Sequence, residues 1–345
     1  MILKIFSKYT LLLATILLAL FSKGINAEEI NLKLHHFLGT TSTTHAKFLK
    51  PWAKKIEKES NNRIKITIYP SMQLGGKPPQ LIDQVREGVA DIVWTLPGYT
   101  PGRFPIVSVF ELPFMISTAE GTSKALQAFS KKYLNNEFSQ IHPLLFHVHS
   151  RGVFHTKKPI NFLDDLKGIT IRAPTRPIGN ALKEMGATPI FMPVPQVPEA
   201  LARGVVNGTM IPWEVALPLK VHELVGYHTE ISGPRGLYTS VFLLAMHKPT
   251  YQALPQDLKT IIDDNSGLNI AGKIGEIWDK AESTGKEAAM KNNNEIILLT
   301  HEEVNKIRNV TLPAINIWLS EMKNNGIDGK KILDEAKELI STYTE

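Results

Sequence analysis

The residues in this chain whose types and spacing could do chemistry sit at the ends of short strands, and the first is an arginine. The segment KGITIRAPTRP, Lys167 to Pro177, reads as a strand over Ile169–Arg172 that delivers a guanidinium into a proline-bounded turn. A planar guanidinium engages a carboxylate through two parallel hydrogen bonds, which fixes geometry as well as charge. Pro174 biases Ala173 towards extended backbone, so Arg172 is held on a stiff frame. Taken alone, a strand-end arginine is more often a solvated or structural group, and the prolines shift that balance. Arg151, in HSRGVFHT, reads as a second strand-end arginine in the same half and a possible partner in a carboxylate clamp. In GTMIPWE, Trp213 and Glu214 follow a strand end and a proline. Trp213 offers an apolar wall and one N–H donor, or else packs between domains. Trp94 and Tyr99 carry the same two readings in the first half of the chain.

Enzyme signatures are missing from the sequence. It contains no G-x-S-x-G elbow, P-loop or G-x-G-x-x-G, and HELVG at His222 lacks the second histidine of a zinc-protease helix. His35 and His36 point to opposite faces of a strand, so they cannot chelate one metal; one of them is read as a core or cleft hydrogen-bonder. Asp263–Asp264 reads as a solvated helix face, and Glu111 as a carboxylate with no partner at a readable spacing. An enzyme using Glu111 or Glu214 as a base is the alternative from a different class, and no motif supports it. The chain has no cysteine, hence no disulfide, thiolate nucleophile or cysteine metal site.

The N-terminus has the layout of a secretory signal: Lys4 and Lys8, an uncharged apolar run from Tyr9 to Phe21, then SKGINA ending on the small Ala27. That run is short against the roughly 20 residues a membrane span needs. Residues 1–27 are therefore expected to be cleaved, leaving an exported protein. Cleavage removes three lysines and no acid, so the net charge of +6 falls to +3. The remaining lysines are scattered, which gives no support for nucleic-acid binding.

The elements that must position these residues follow from periodicity. INLKLHHFLG alternates as a half-buried strand. Phe48, Leu49, Trp52, Ala53 and Ile56 keep helical spacing behind a cap within Ser42–Thr44, and Ile64, Ile66 and Ile68 share one face of a second strand. A helix over Pro79–Glu87, a stop at Gly88 and a strand over Ala90–Thr95 complete a β-α-β-α-β order, the pattern of a parallel sheet covered by helices. LPGYTPGRFP, with three prolines and two glycines, is then a loop directly after a strand, where ligands sit in open α/β sheets. A second strand–helix series starts near LLFHVHSRGVFHT, an apolar strand covers Thr239–Met246, and the chain from Pro255 on is mostly helical.

GITIRAP followed by GATPIFMPVPQVPEALARGVVNG closely resembles the signature of the substrate-binding proteins of tripartite ATP-independent periplasmic (TRAP) transporters, the DctP-like family; YPSMQLGG, ELPFM and LPQDLK match as well. The resemblance covers the mature chain. It implies an α/β, two-lobed periplasmic binding protein fold with a central cleft, a long connecting helix and a helical C-terminal tail. Residues 28–149 with 239–276 are expected to form lobe I, and 150–238 with 277–345 lobe II. The resemblance implies that Arg172 meets a substrate carboxylate, that Arg151 is a second arginine used by some members, and that Met192 or Val194 lines the cleft. His36, Phe37, Trp94, Tyr99, Trp213 and Glu214 are expected beside them as ligand contacts. Ile211 stands where sialic-acid and dicarboxylate binders often carry asparagine, and Asn207 replaces a common aspartate.

Asn207 is a tolerated change at a turn, whereas the lost asparagine at Ile211 and the added Trp213 favour a monocarboxylate, a hydroxy or keto acid or an aromatic acid over sialic acid. A C4-dicarboxylate is the alternative if Arg151 and Arg172 hold separate ends, and a sulfonate would also suit an arginine clamp. The implied role is a periplasmic receptor, without catalysis or cofactor, that hands its anion to the small and large permease subunits for ion-gradient-driven uptake. A binding protein feeding a membrane sensor is the other reading. Pro313 interrupts the tail, which favours a monomer over pairing through one long helix.

Overall fold

The computed structural model describes residues 29–344, so residues 1–27, the expected signal segment, lie outside the described residues. The first sheet is ordered β2-β1-β3-β10-β4, from β1 (Ile30–His36), β2 (Ile64–Tyr69), β3 (Ile92–Thr95), β4 (His142–Val148) and β10 (Val241–Met246). β1 runs parallel to β2 and β3, as the alternating pattern predicts, and β10 enters antiparallel between β3 and β4. The helix Lys50–Glu59 that links β1 to β2 buries Trp52, Ala53 and Ile56, and the Ser42 hydroxyl accepts from the His45 amide at its approach.

The second sheet is ordered β11-β9-β5-β8-β6-β7, from β5 (Val153–Thr156), β6 (Thr170–Ala173), β7 (Thr188–Phe191), β8 (Gly208–Ile211), β9 (Tyr227–Glu230) and β11 (Glu295–Leu298). The chain passes between the sheets three times: after β4, after β9, and along the long helix Gly267–Lys291 that leads to β11.

That long helix ties the two lobes together. Asp279 accepts hydrogen bonds from the amides of Ala119 (2.9 Å) and Glu120 (3.0 Å), the N-terminus of a helix over Ala119–Tyr133 packed under the first sheet. One turn on, Glu282 accepts from the amides of Trp213 (3.1 Å) and Glu214 (3.0 Å), which follow β8 of the second sheet. Each carboxylate satisfies orphan amides at a helix start. Gly285 permits the approach, since a Cβ there would lie 2.1 Å from the Trp213 carbonyl oxygen. The tail forms helices over His301–Val310, Leu312–Asn324 and Gly329–Thr344, with Pro313 in the first turn of the second, and the last packs on Ala119–Tyr133. This is the two-lobed architecture expected from the sequence. Among the described residues no helix is long and apolar enough to cross a membrane.

Candidate ligand-binding cleft

The loop after β3, the ends of β6 and β8 and the start of β10 line a cavity between the two sheets. Arg172 lines it and is only 1% exposed. Its Nε donates to the Met192 carbonyl at 2.9 Å, Nη1 approaches the Met210 carbonyl at 3.4 Å and Nη2 stands 3.5 Å from Tyr99 Oη. Among the described residues no carboxylate pairs with it. A buried cation without a counter-charge is costly, and these uncharged oxygens offset only part of that cost.

Tyr99 reaches this site because Pro97 starts a single 3₁₀ turn directly behind β3. Its hydroxyl oxygen accepts from the Val194 amide at 3.0 Å. Burial, partly opposed by the Arg172 charge, raises its pKa, so the phenol keeps its proton and can donate it. The rest of the wall is aromatic. Trp94 stacks on Phe242 (4.6 Å between centroids, 13°), Phe37 lies 5.0 Å from Trp94, and Trp94 Nε1 is anchored on His147 Nε2 at 2.9 Å. His149 donates from Nδ1 to the Ser150 carbonyl and accepts at Nε2 from the Ser240 amide, which defines a neutral ring; burial lowers its pKa to about 3. Tyr238 gives its proton to the Met210 carbonyl at 2.8 Å.

Two buried carboxyls flank the cavity. Glu214 lines it; burial raises its pKa to about 7, with Thr43 and Trp278 as its polar neighbours. Glu111 stands just outside, beside Gly98 and Thr175, and accepts from the Val241 amide at 3.0 Å. Burial raises its pKa to about 7 as well. Glu111 Oε2 and the Thr175 hydroxyl adjoin, yet neither has a hydrogen bond of normal length. Among the described residues no cluster of three or more His, Cys, Asp or Glu could hold a metal.

The structure thus brings Arg172, Tyr99, Trp94, Phe37, Val194 and Glu214 to one cavity. Four other expected contacts stand elsewhere. Arg151 spends its donors on backbone carbonyls, Nε to Ser117 (2.9 Å), Nη1 to Gly233 (2.7 Å) and Nη2 to Pro234 (2.6 Å), and so pins the crossing after β4 to the crossing after β9. Trp213 turns away: its Nε1 donates to Glu230 at 2.8 Å and its ring packs on His155 and His228. Met192 contributes its carbonyl to Arg172 and is not part of the wall. His36 stands behind Trp94, ring edge on, and pairs with His45 Nδ1 at 3.0 Å. Tyr238, Ser240 and Phe242 are cavity residues that motif reading missed. Their spacing of two at the start of an apolar strand was the signal that could have found them.

The family model of bacterial extracellular solute-binding proteins, family 7 (DctP), matches residues 34–321. The chain belongs to this family. Two crystal structures of TRAP solute-binding proteins resemble this family 7 member over nearly their whole length. One, from a marine metagenome, is described as specific for aromatic acid ligands and holds 3-hydroxybenzoate; it is 44% identical, with 92% of this chain and 100% of that one covered and a TM-score of 0.91. The other, from Rhodoferax ferrireducens, holds copurified benzoate; it is 42% identical, with 91% and 98% covered and a TM-score of 0.90. The C4-dicarboxylate-binding periplasmic protein DctP of Rhodobacter capsulatus is 26% identical, with 76% of this chain and 75% of that protein covered. Family 7 members of this kind are solute receptors, and this chain is a solute-binding protein of the TRAP type.

Proposed function

We propose that this protein captures a small aromatic monocarboxylate in the periplasm and presents it to the small and large subunits of a TRAP permease. The observation that carries the reading is Arg172: a guanidinium 1% exposed, without an acidic partner among the described residues, in a cavity walled by Phe37, Trp94, Tyr99 and Phe242. The ligand's carboxylate takes Arg172 and the Tyr99 hydroxyl proton, and its ring lies among the aromatic side chains. The benzoate and 3-hydroxybenzoate held by the two similar structures support this ligand class. A C4-dicarboxylate is less well served. It needs a second cation, and among the described lining residues Arg172 is the only one, His149 being neutral.

The protein captures and releases this anion without bond chemistry, the role of the family's solute receptors, and Glu111 serves as a buried support for the Val241 amide. We place the protein in the periplasm as a monomer after loss of residues 1–27. Residues 28–149 with 239–276 move as one lobe against 150–238 and the start of the tail, and the last helix travels with the first lobe, on which it packs. A thermal-shift panel tests the ligand class. Benzoate-type acids should stabilise the protein, by about 2.7 kcal/mol at 100 times the dissociation constant, and succinate should not. Stabilisation by dicarboxylates or sulfonates alone would overturn the assignment.

A further inference from the structure

Beyond the carboxylate clamp, we infer that Glu214 reads a hydrogen-bond-donating substituent on the ligand ring, so that the site prefers a hydroxylated aromatic acid to its unsubstituted parent. The inference rests on the aromatic-acid reading above and names the residue that discriminates within that class.

Most polar groups facing the cavity are already committed. Arg172 and the Tyr99 hydroxyl are donors suited to the carboxylate. Tyr238 has given its proton to Met210, and both nitrogens of His149 are engaged, with Ser150 and Ser240. Glu214 remains. It is 5% exposed, and its Oε2 is buried with no hydrogen-bond partner. Thr43 and the Trp278 indole adjoin the carboxyl as donors and lower its pKa somewhat against the effect of burial, but the Trp278 Nε1 contact is too poor to count as a hydrogen bond. The protein therefore leaves acceptor capacity on a side chain that the cavity touches, since a carboxylate has about four lone-pair sites.

An unfilled acceptor in a water-poor site discriminates strongly. A ligand that brings an O–H to it gains a hydrogen bond to a buried carboxyl oxygen, and a ligand without one leaves the oxygen unpaired. The wall around Glu214 is otherwise apolar, with Ile211, Pro212 and Val215 beside it in the chain. Ser240 is the other side chain of the cavity that could serve, so it is included in the test.

The experiment is calorimetric titration of the purified protein with benzoate, 3-hydroxybenzoate and 4-hydroxybenzoate, read as the ratio of dissociation constants. The wild type is expected to favour one hydroxylated acid by about tenfold or more. Glu214→Leu should bring the ratio to within about twofold, and Glu214→Gln, which keeps an acceptor, should give an intermediate ratio. The glutamine variant carries the test alone if the leucine variant does not fold. A preference that survives both substitutions, or that is lost in Ser240→Ala instead, overturns the assignment. Equal affinity of the wild type for all three acids also overturns it and leaves the aromatic-acid reading standing. Binding of none of them removes both.

Discussion

Tyr99 Oη, carried by the loop after β3, accepts the Val194 amide at 3.0 Å and stands 3.5 Å from Arg172 Nη2, so one phenol from the first lobe touches two groups of the second. Its proton is left free for an anion held by Arg172. Tyr99→Phe removes that donor and leaves the buried Val194 amide unpaired. Affinity for an aromatic acid should fall by about tenfold, measured by calorimetry. An unchanged affinity would place the carboxylate away from this pair.

Arg151 gives a prediction of the opposite kind. Its three carbonyl contacts make it a fastening between chain crossings. Lysine cannot reproduce three donors in a fixed fork. Arg151→Lys should lower the melting temperature by several degrees, corresponding to about 1–3 kcal/mol, while the order of ligand preference stays the same. A selective loss of ligand affinity without loss of stability would return Arg151 to the binding site.

Glu111 links stability to pH. Its ordinary value of 4.5 is raised to about 7 by burial. Between these values the folded protein keeps a proton that the unfolded chain releases, so the contribution to stability is full below pH 4.5 and is lost as pH rises through 7. Histidines 36, 147 and 149, lowered to about 3 by burial, act in the opposite direction, because the unfolded chain binds their protons below pH 6.5. Glu111→Gln keeps an acceptor for the Val241 amide and removes the titration. Relative to wild type the variant should gain up to about 3 kcal/mol above pH 7, a gain that disappears by pH 4.5. Melting curves at pH 4.5 and 8 check this; an equal difference at both would show that the carboxyl titrates normally.

Gly285 and Gly272 share the long helix and differ in what a methyl group would meet. At Gly285 it meets the Trp213 backbone at 2.1 Å, whereas at Gly272 the nearest atoms belong to the flexible Lys124 side chain. Gly285→Ala should destabilise by about 1–3 kcal/mol through forced separation of the packed backbones. Gly272→Ala should be neutral or stabilise by up to about 1 kcal/mol from helix propensity. Thermal denaturation of the two variants separates the effects.

Much of the cavity was readable because its anchors are encoded locally. Arg172 is fixed by its strand and by Pro174, and Tyr99 by Pro97 and a loop following a strand. The alternation of β1 and β2 gave their buried faces. Arg151 shows where such reading stops: its partners are 34, 82 and 83 residues away, and no local pattern marks them. Trp213 and Glu214 both read as wall residues from the sequence, and the peptide after Pro212 turns Glu214 to the cavity and the indole towards Glu230 and the buried histidines. Tyr238, Ser240 and Phe242 depended on β10 entering the first sheet antiparallel, more than a hundred residues after β3, which periodicity does not specify.

On this account Arg172, buried without an acidic partner among the described residues, meets a ligand carboxylate. Titration of benzoate into wild type and Arg172→Met tests it most directly, with the unliganded melting temperature recorded for both. Truncating one partner of a buried charge pair costs about 3–5 kcal/mol, so affinity should fall by at least about a hundredfold while the unliganded variant remains folded. Benzoate binding of equal strength in a folded Arg172→Met protein would contradict the account.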